Sequence, residues 1–168
     1  VSLTLPWEKD GVITLDLIPA KNFSDEFQVH TASSGGASAD SDKGVHYWGI
    51  VRDNPASLVT ISLFGGEIIG SVEYDGGSFT IGLLPASNDK THILFKNDDI
   101  KGAPGFVCYT DDDLHKIGEE AGSTDRSSGP DNCVRMYVET DYTLFQNKGS
   151  VANVVTYMTG VFSQVSAL

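Results

Sequence analysis

Residues 45–84 read VHYWGIVRDNPASLVTISLFGGEIIGSVEYDGGSFTIGLL. Four runs of alternating apolar and polar residues lie here: 45–51, 57–64, 67–74 and 78–84. A period of two marks strands with one buried face, and the enrichment in Val, Ile, Thr and aromatic residues agrees. The connectors are short: RDNPA, then Gly65-Gly66, then Asp75-Gly76-Gly77. Gly-Gly and Asp-Gly supply the positive φ angles that tight hairpins require, so the stretch predicts an antiparallel meander.

Strands are also expected outward from this stretch. GVITLDLIP (11–19) and EFQVHTA (26–32) alternate in the same way, separated by the turn-rich AKNFSD, and THILFK (91–96) adds a further strand. SSGGASADSDKG (33–44) reads as a small-residue, acidic loop. No segment recurs at a fixed period, which excludes solenoids and propellers.

Residues 98–132 are acidic, rich in glycine and serine, and without apolar periodicity, the texture of a linker or surface-lying segment. Beyond them, Val134, Met136 and Val138 alternate with Arg135, Tyr137 and Glu139, which predicts a strand. From Ser150, an acceptable N-cap, Val151, Val154, Val155, Met158, Val161, Phe162, Val165 and Leu168 recur at helical spacing. Many of these positions are β-branched, so packing must hold the helix. A strand followed by an amphipathic helix is the opening of a parallel α/β domain, and its neighbours are expected further along the gene. The expected division is a β-rich domain over 1–97, a linker over 98–132 and a βα unit over 133–168.

Composition narrows the function classes. The chain has 168 residues and a formal net charge of −12, which disfavours a nucleic-acid partner, since phosphate needs a basic stripe. Its scattered Lys and Arg form no membrane-surface patch, and no apolar run approaches membrane-spanning length. The start VSLTLPWEKDG lacks a signal-peptide pattern, although a signal is removable before Val1.

The order HYWGIVRDNPASLVTISLFGGEIIGSVEYDGGSFTIGLL…THILF resembles the propeptide of reprolysin-like (adamalysin-type) zinc metalloproteases. CVRMYVETDYTLFQNKGSVANVVTYMTGVFSQV resembles the first strand and helix of that family's catalytic domain, most closely in secreted bacterial members. The resemblance implies a mainly β, sandwich-like propeptide domain followed by a fragment of an α/β metzincin domain. It implies a secreted protein that keeps its own catalytic domain latent, assists its folding and has that domain as its partner. Zinc is implied for the parent protease alone. The family's H-E-x-x-H-x-x-G-x-x-H signature, which offers two zinc ligands one helical turn apart and a glutamate base, is missing here. His30, His46, His92 and His115 are isolated in sequence and read as structural or surface histidines, so this chain by itself is expected to be non-catalytic.

Two readings stand for Cys108. In several metzincin propeptides a free cysteine in this region ligates the catalytic zinc and displaces its water, although Cys108 lacks the usual neighbouring glycine. Alternatively Cys108 pairs with Cys133, the one other cysteine, in a disulfide worth ~3–4 kcal/mol on chain-entropy grounds. Arg135 occupies the position of the family's early calcium-binding glutamate, which puts that calcium site in doubt. Glu139, Asp141 and the run Asp111–Asp113 read as solvated acids before calcium ligands. Asn22-Phe23-Ser24 fits a glycosylation acceptor, and Trp7 and Trp48 read as core aromatics before ligand platforms. The competing readings are an acidic β-sandwich binding module for glycans or adhesion, and a free-standing protease inhibitor.

Overall fold

A computed structural model of the chain describes residues 1–7, 11–32, 42–84, 87, 89–102 and 136–168. Cys108, Cys133, His115, Arg135, Asp111–Asp113, most of the loop at 33–44 and most of the expected linker lie outside the described residues. The chain divides into two compact units, Val1–Lys101 with Asp141–Leu168, and Gly102–Thr140.

The first unit is built on seven strands: β1 (Ser2–Trp7), β2 (Gly11–Pro19), β3 (Val45–Val51), β4 (Asn54–Phe64), β5 (Glu67–Tyr74), β6 (Gly77–Leu83) and β7 (His92–Lys96). Each pairs antiparallel with the next, so spatial order equals chain order. The β class and the antiparallel meander are as expected. In place of the two layers of a sandwich there is one sheet, curled so that Trp7 of β1 meets Tyr74 and Phe79, with ring centroids 5.8 and 4.4 Å apart.

Curling gives the sheet an inner face, and strand alternation assigns its residues. Leu15 lies opposite Leu3 and Val51; Val59 lies opposite Gly49 and Val72; Ile81 lies opposite Gly70 and Leu94. Leu15, Val51, Val59, Val72 and Ile81, with Ile13, Leu17 and Ile61, form a continuous buried cluster that Leu3, Leu5, Trp7, Tyr47 and Phe79 close at its margins. Burial of this apolar area is the main force holding the sheet. Gly49 is required at the β2–β3 contact, because a Cβ there would collide with the backbone carbonyl of Asp16.

Several expectations need correction. RDNPA is not all connector: Val51 pairs with Asn54, leaving Arg52-Asp53 as a two-residue turn with Asp53 at φ 63°. The register shift beside it is stabilised by Ser57, whose Oγ accepts from Val51 N (2.8 Å) and donates to Asn54 O (2.6 Å). Residues 26–32 form no strand beyond a single bridge at His30. Phe23 and Phe27 pack edge-to-face at 5.3 Å and Phe23 lies against the His46 ring, so aromatic anchoring of a turn wins over alternation. Met136, Tyr137 and Val138 lie in no strand, since alternation makes a strand only where a sheet edge accepts it, and they are exposed.

Two helices end the chain. α1 (Tyr142–Lys148), unanticipated from sequence, is capped by Asp141, whose Oδ1 accepts from Leu144 N (2.8 Å), and ends on left-handed Gly149 (φ 77°). α2 (Val151–Val165) starts where expected, with Ser150 Oγ accepting from Asn153 N (3.1 Å). It packs on the outer face of β4 and β5, within the same unit. Its buried stripe is also rotated from the expected one: Val154, Val155, Thr159, Gly160 and Ser163 face inward, whereas Val165 is 55% and Leu168 94% exposed. Small residues win because they let the helix approach closely; a Cβ on Gly160 would lie 3.2 Å from the Ile69 side chain.

Candidate functional site

The alternation that sends Val59, Ile61, Val72, Phe79 and Ile81 inward turns Thr60, Ser62, Ser71, Ser78 and Thr80 outward. The outer face of β4–β6 is therefore a hydroxyl surface, and α2 runs beside it. Between them lies a groove of about 230 Å³. One wall carries Thr60, Ser71, Glu73, Ser78, Thr80 and Asn97; the other carries Val161, Gln164, Val165 and Leu168 of α2.

The polar wall is held in a fixed pattern. Thr80 Oγ1 donates to Asn97 Oδ1 (2.7 Å), Asn97 Nδ2 donates to Ser78 Oγ (2.8 Å), and Ser78 Oγ donates to Glu73 Oε1 (2.6 Å). This chain of donors terminates on a carboxylate, which orients every hydroxyl along it. Thr60 Oγ1 and Ser71 Oγ pair at 2.9 Å in the next row. A polar wall facing an aliphatic wall suits an amphipathic ligand such as a sugar or a peptide. A second hollow, of about 320 Å³, lies at the β4–β5 turn between Phe64, Gly66, Lys90 and Thr156.

A serine–histidine pair does occur, in a structural setting. His46 on β3 and Ser62 on β4 are cross-strand partners, with Nδ1 and Oγ 2.8 Å apart. His46 Nε2 lies 2.7 Å from Lys43 O, which only accepts, so Nε2 carries the proton and Nδ1 accepts from Ser62. Both side chains are buried, and the ring sits between Phe23 and Phe64. Desolvation holds the imidazole pKa below its ordinary value. With both ring nitrogens engaged and the serine enclosed, the pair fixes the β3–β4 register and the loop before it. Sequence reading missed this pair because its signal is cross-strand register.

The other singled-out residues are scattered. His92 Nε2 accepts from Ile68 N (2.9 Å), tying β7 to the start of β5, while His30 is exposed. Asn22 Nδ2 donates to Ser166 Oγ (3.4 Å), and its Oδ1 is buried without a partner among the described residues, so the glycosylation candidate lies against the end of α2. Asp141 caps α1 and Glu139 is exposed. Trp7 is a core aromatic, and Trp48 Nε1 donates to Ser163 O (3.1 Å). Asp16, on the outer face, binds Arg52 through both oxygens (2.7 and 3.0 Å) and accepts from Ser2 Oγ (2.7 Å), which lowers its pKa to about 2. Among the described residues no three His, Cys, Asp or Glu side chains converge as a metal site, and no helix is long and apolar enough to cross a membrane.

Compared with protein families, curated proteins and solved structures, the chain matches none.

Proposed function

We propose that this chain is the propeptide region of a secreted reprolysin-like zinc metalloendopeptidase, joined to the opening strand and helix of its catalytic domain. In this reading residues 1–97 keep the protease latent and assist its folding, and residues 133–168 belong to the protease. The motif order supports it: the metalloprotease-like meander and the CVRMYVETDY segment follow one another in the family's order. The observation that carries it is this order, with Val134, Met136 and Val138 alternating against Arg135, Tyr137 and Glu139 just ahead of the helical repeat that starts at Ser150. α2 has a partner in this chain, so the reading leans on the order of these segments and not on an unpartnered helix.

Among the described residues no group of three His, Cys, Asp or Glu side chains converges. The chain lacks the histidine pair, and Cys108 offers a single sulfur. In this reading the zinc belongs to the parent protease, and this chain's contribution is Cys108, as a thiolate or as half of a disulfide. The test is the coding sequence beyond Leu168. An in-frame H-E-x-x-H-x-x-G-x-x-H supports the reading; an unrelated domain or an immediate stop overturns it.

A second reading, a glycan-binding or adhesion module, is favoured by the groove between α2 and the hydroxyl face. Binding of soluble oligosaccharides, lost on Thr80→Val or Asn97→Leu, would support it.

A further inference from the structure

We infer that α2 is a detachable cover: it leaves the outer face as a unit while the curled sheet stays folded. The two parts have separate interiors. The buried apolar cluster of the sheet is made of strand residues alone, from Ile13 to Ile81, and includes nothing from α2. Val154 and Val155 are the buried aliphatic residues of the helix, and the rest of its buried stripe is Thr159, Gly160 and Ser163. The fully buried aliphatic residues of the helix are thus few, and undocking leaves the inner face covered.

Polar bookkeeping points the same way. Beneath the helix Thr60 bonds to Ser71 and Ser62 bonds to His46, and both pairs lie within the sheet and survive without α2. Thr159 Oγ1 bonds within the helix, to Val155 O (2.8 Å). From the sheet side, Trp48 Nε1 donates to Ser163 O and Asn22 Nδ2 to Ser166 Oγ, while Asn153 Nδ2 of α2 bonds to Lys148 O of the neighbouring α1. Water replaces the Trp48 and Asn22 bonds on opening. Docking instead leaves Ser163 Oγ, on a residue 0% exposed, and Asn22 Oδ1 buried without partners among the described residues. Undocking solvates both atoms. Once free, a helix so rich in β-branched residues loses its fold, because packing was what held it.

Detachment of α2 does not depend on the propeptide reading.

Hydrogen exchange on the full 168-residue chain tests it. Amides of α2 are expected to exchange roughly 100-fold faster than those of β4 and β5, with a weaker denaturant dependence. Equal rates with equal denaturant dependence overturn the inference. Gly160→Leu provides an independent arm, since its side chain must displace Ile69 or the helix. The expected variant keeps the sheet's protection and β-type circular dichroism, loses protection across α2, and becomes open to chymotrypsin at Tyr157 and Phe162. Collapse of sheet and helix together, or an α2 still protected to the same degree as β4, overturns it.

Discussion

Ser62→Ala should destabilise the protein out of proportion to the atom removed. Ser62 Oγ donates to His46 Nδ1 at 2.8 Å, and both residues are buried, so no water replaces the lost donor. The acceptor left behind bears its full desolvation cost, about 1–3 kcal/mol. Taking ~2 kcal/mol, the unfolding equilibrium shifts by roughly 30-fold, a substantial share of the ~5–15 kcal/mol that holds a typical domain. The double variant His46→Phe/Ser62→Ala removes both polar partners and keeps a ring between Phe23 and Phe64, 4.9 and 5.9 Å away in the parent. It should be less destabilised than the sum of the single variants by about 1 kcal/mol or more, as expected for directly bonded partners. Urea denaturation followed by far-UV circular dichroism at pH 7.5 measures each term. The pair also titrates. His46 is neutral when folded and its pKa is lowered by burial, so as pH falls the unfolded chain takes up the proton first. Its stabilising contribution is therefore full above the ordinary value of 6.5 and declines as pH falls from there through the lowered folded value. The double variant should lack this component of the pH dependence. A Ser62→Ala cost under about 0.5 kcal/mol, or strictly additive variants, would refute the argument.

Leu15→Ala, at a fully buried position of the inner face, should cost about 2–5 kcal/mol in the same assay. Gly49→Ala should cost about 3 kcal/mol or more, because the new methyl meets backbone of β2 that has nowhere to move; a neutral result would show that β2 and β3 are not paired as described. The purified chain should show no peptidase activity and no stoichiometric catalytic zinc by metal analysis, given the missing histidine pair. Thiol labelling of the denatured, unreduced chain decides between the two roles of Cys108. Label on both cysteines leaves the zinc-ligand role open, and no label on either establishes the disulfide with Cys133 and rules that role out.

Much of the architecture is local and therefore readable along the chain. The period of two over 45–84, interrupted by Gly65-Gly66 and Asp75-Gly76-Gly77, specifies strands and tight antiparallel turns, because pleat and turn geometry depend on adjacent residues. The same alternation separates the inner face of Val59, Ile61 and Val72 from the hydroxyl face of Thr60, Ser62 and Ser71, so one wall of the groove was legible. The start of α2 was legible as well, in Ser150 ahead of a helical repeat. What lies against what was not. That the sheet curls until Trp7 reaches Phe79, that His46 finds Ser62, and that α2 turns Gly160 and Ser163 inward while leaving Leu168 in solvent all depend on residues distant in sequence. Residues 26–32 and 136–138 carry the alternation of strands without becoming strands. Periodicity records which face of a segment can be buried; only the fold supplies the neighbour that buries it, because hydrophobic attraction is non-directional and a strand's hydrogen bonds need a free edge in register.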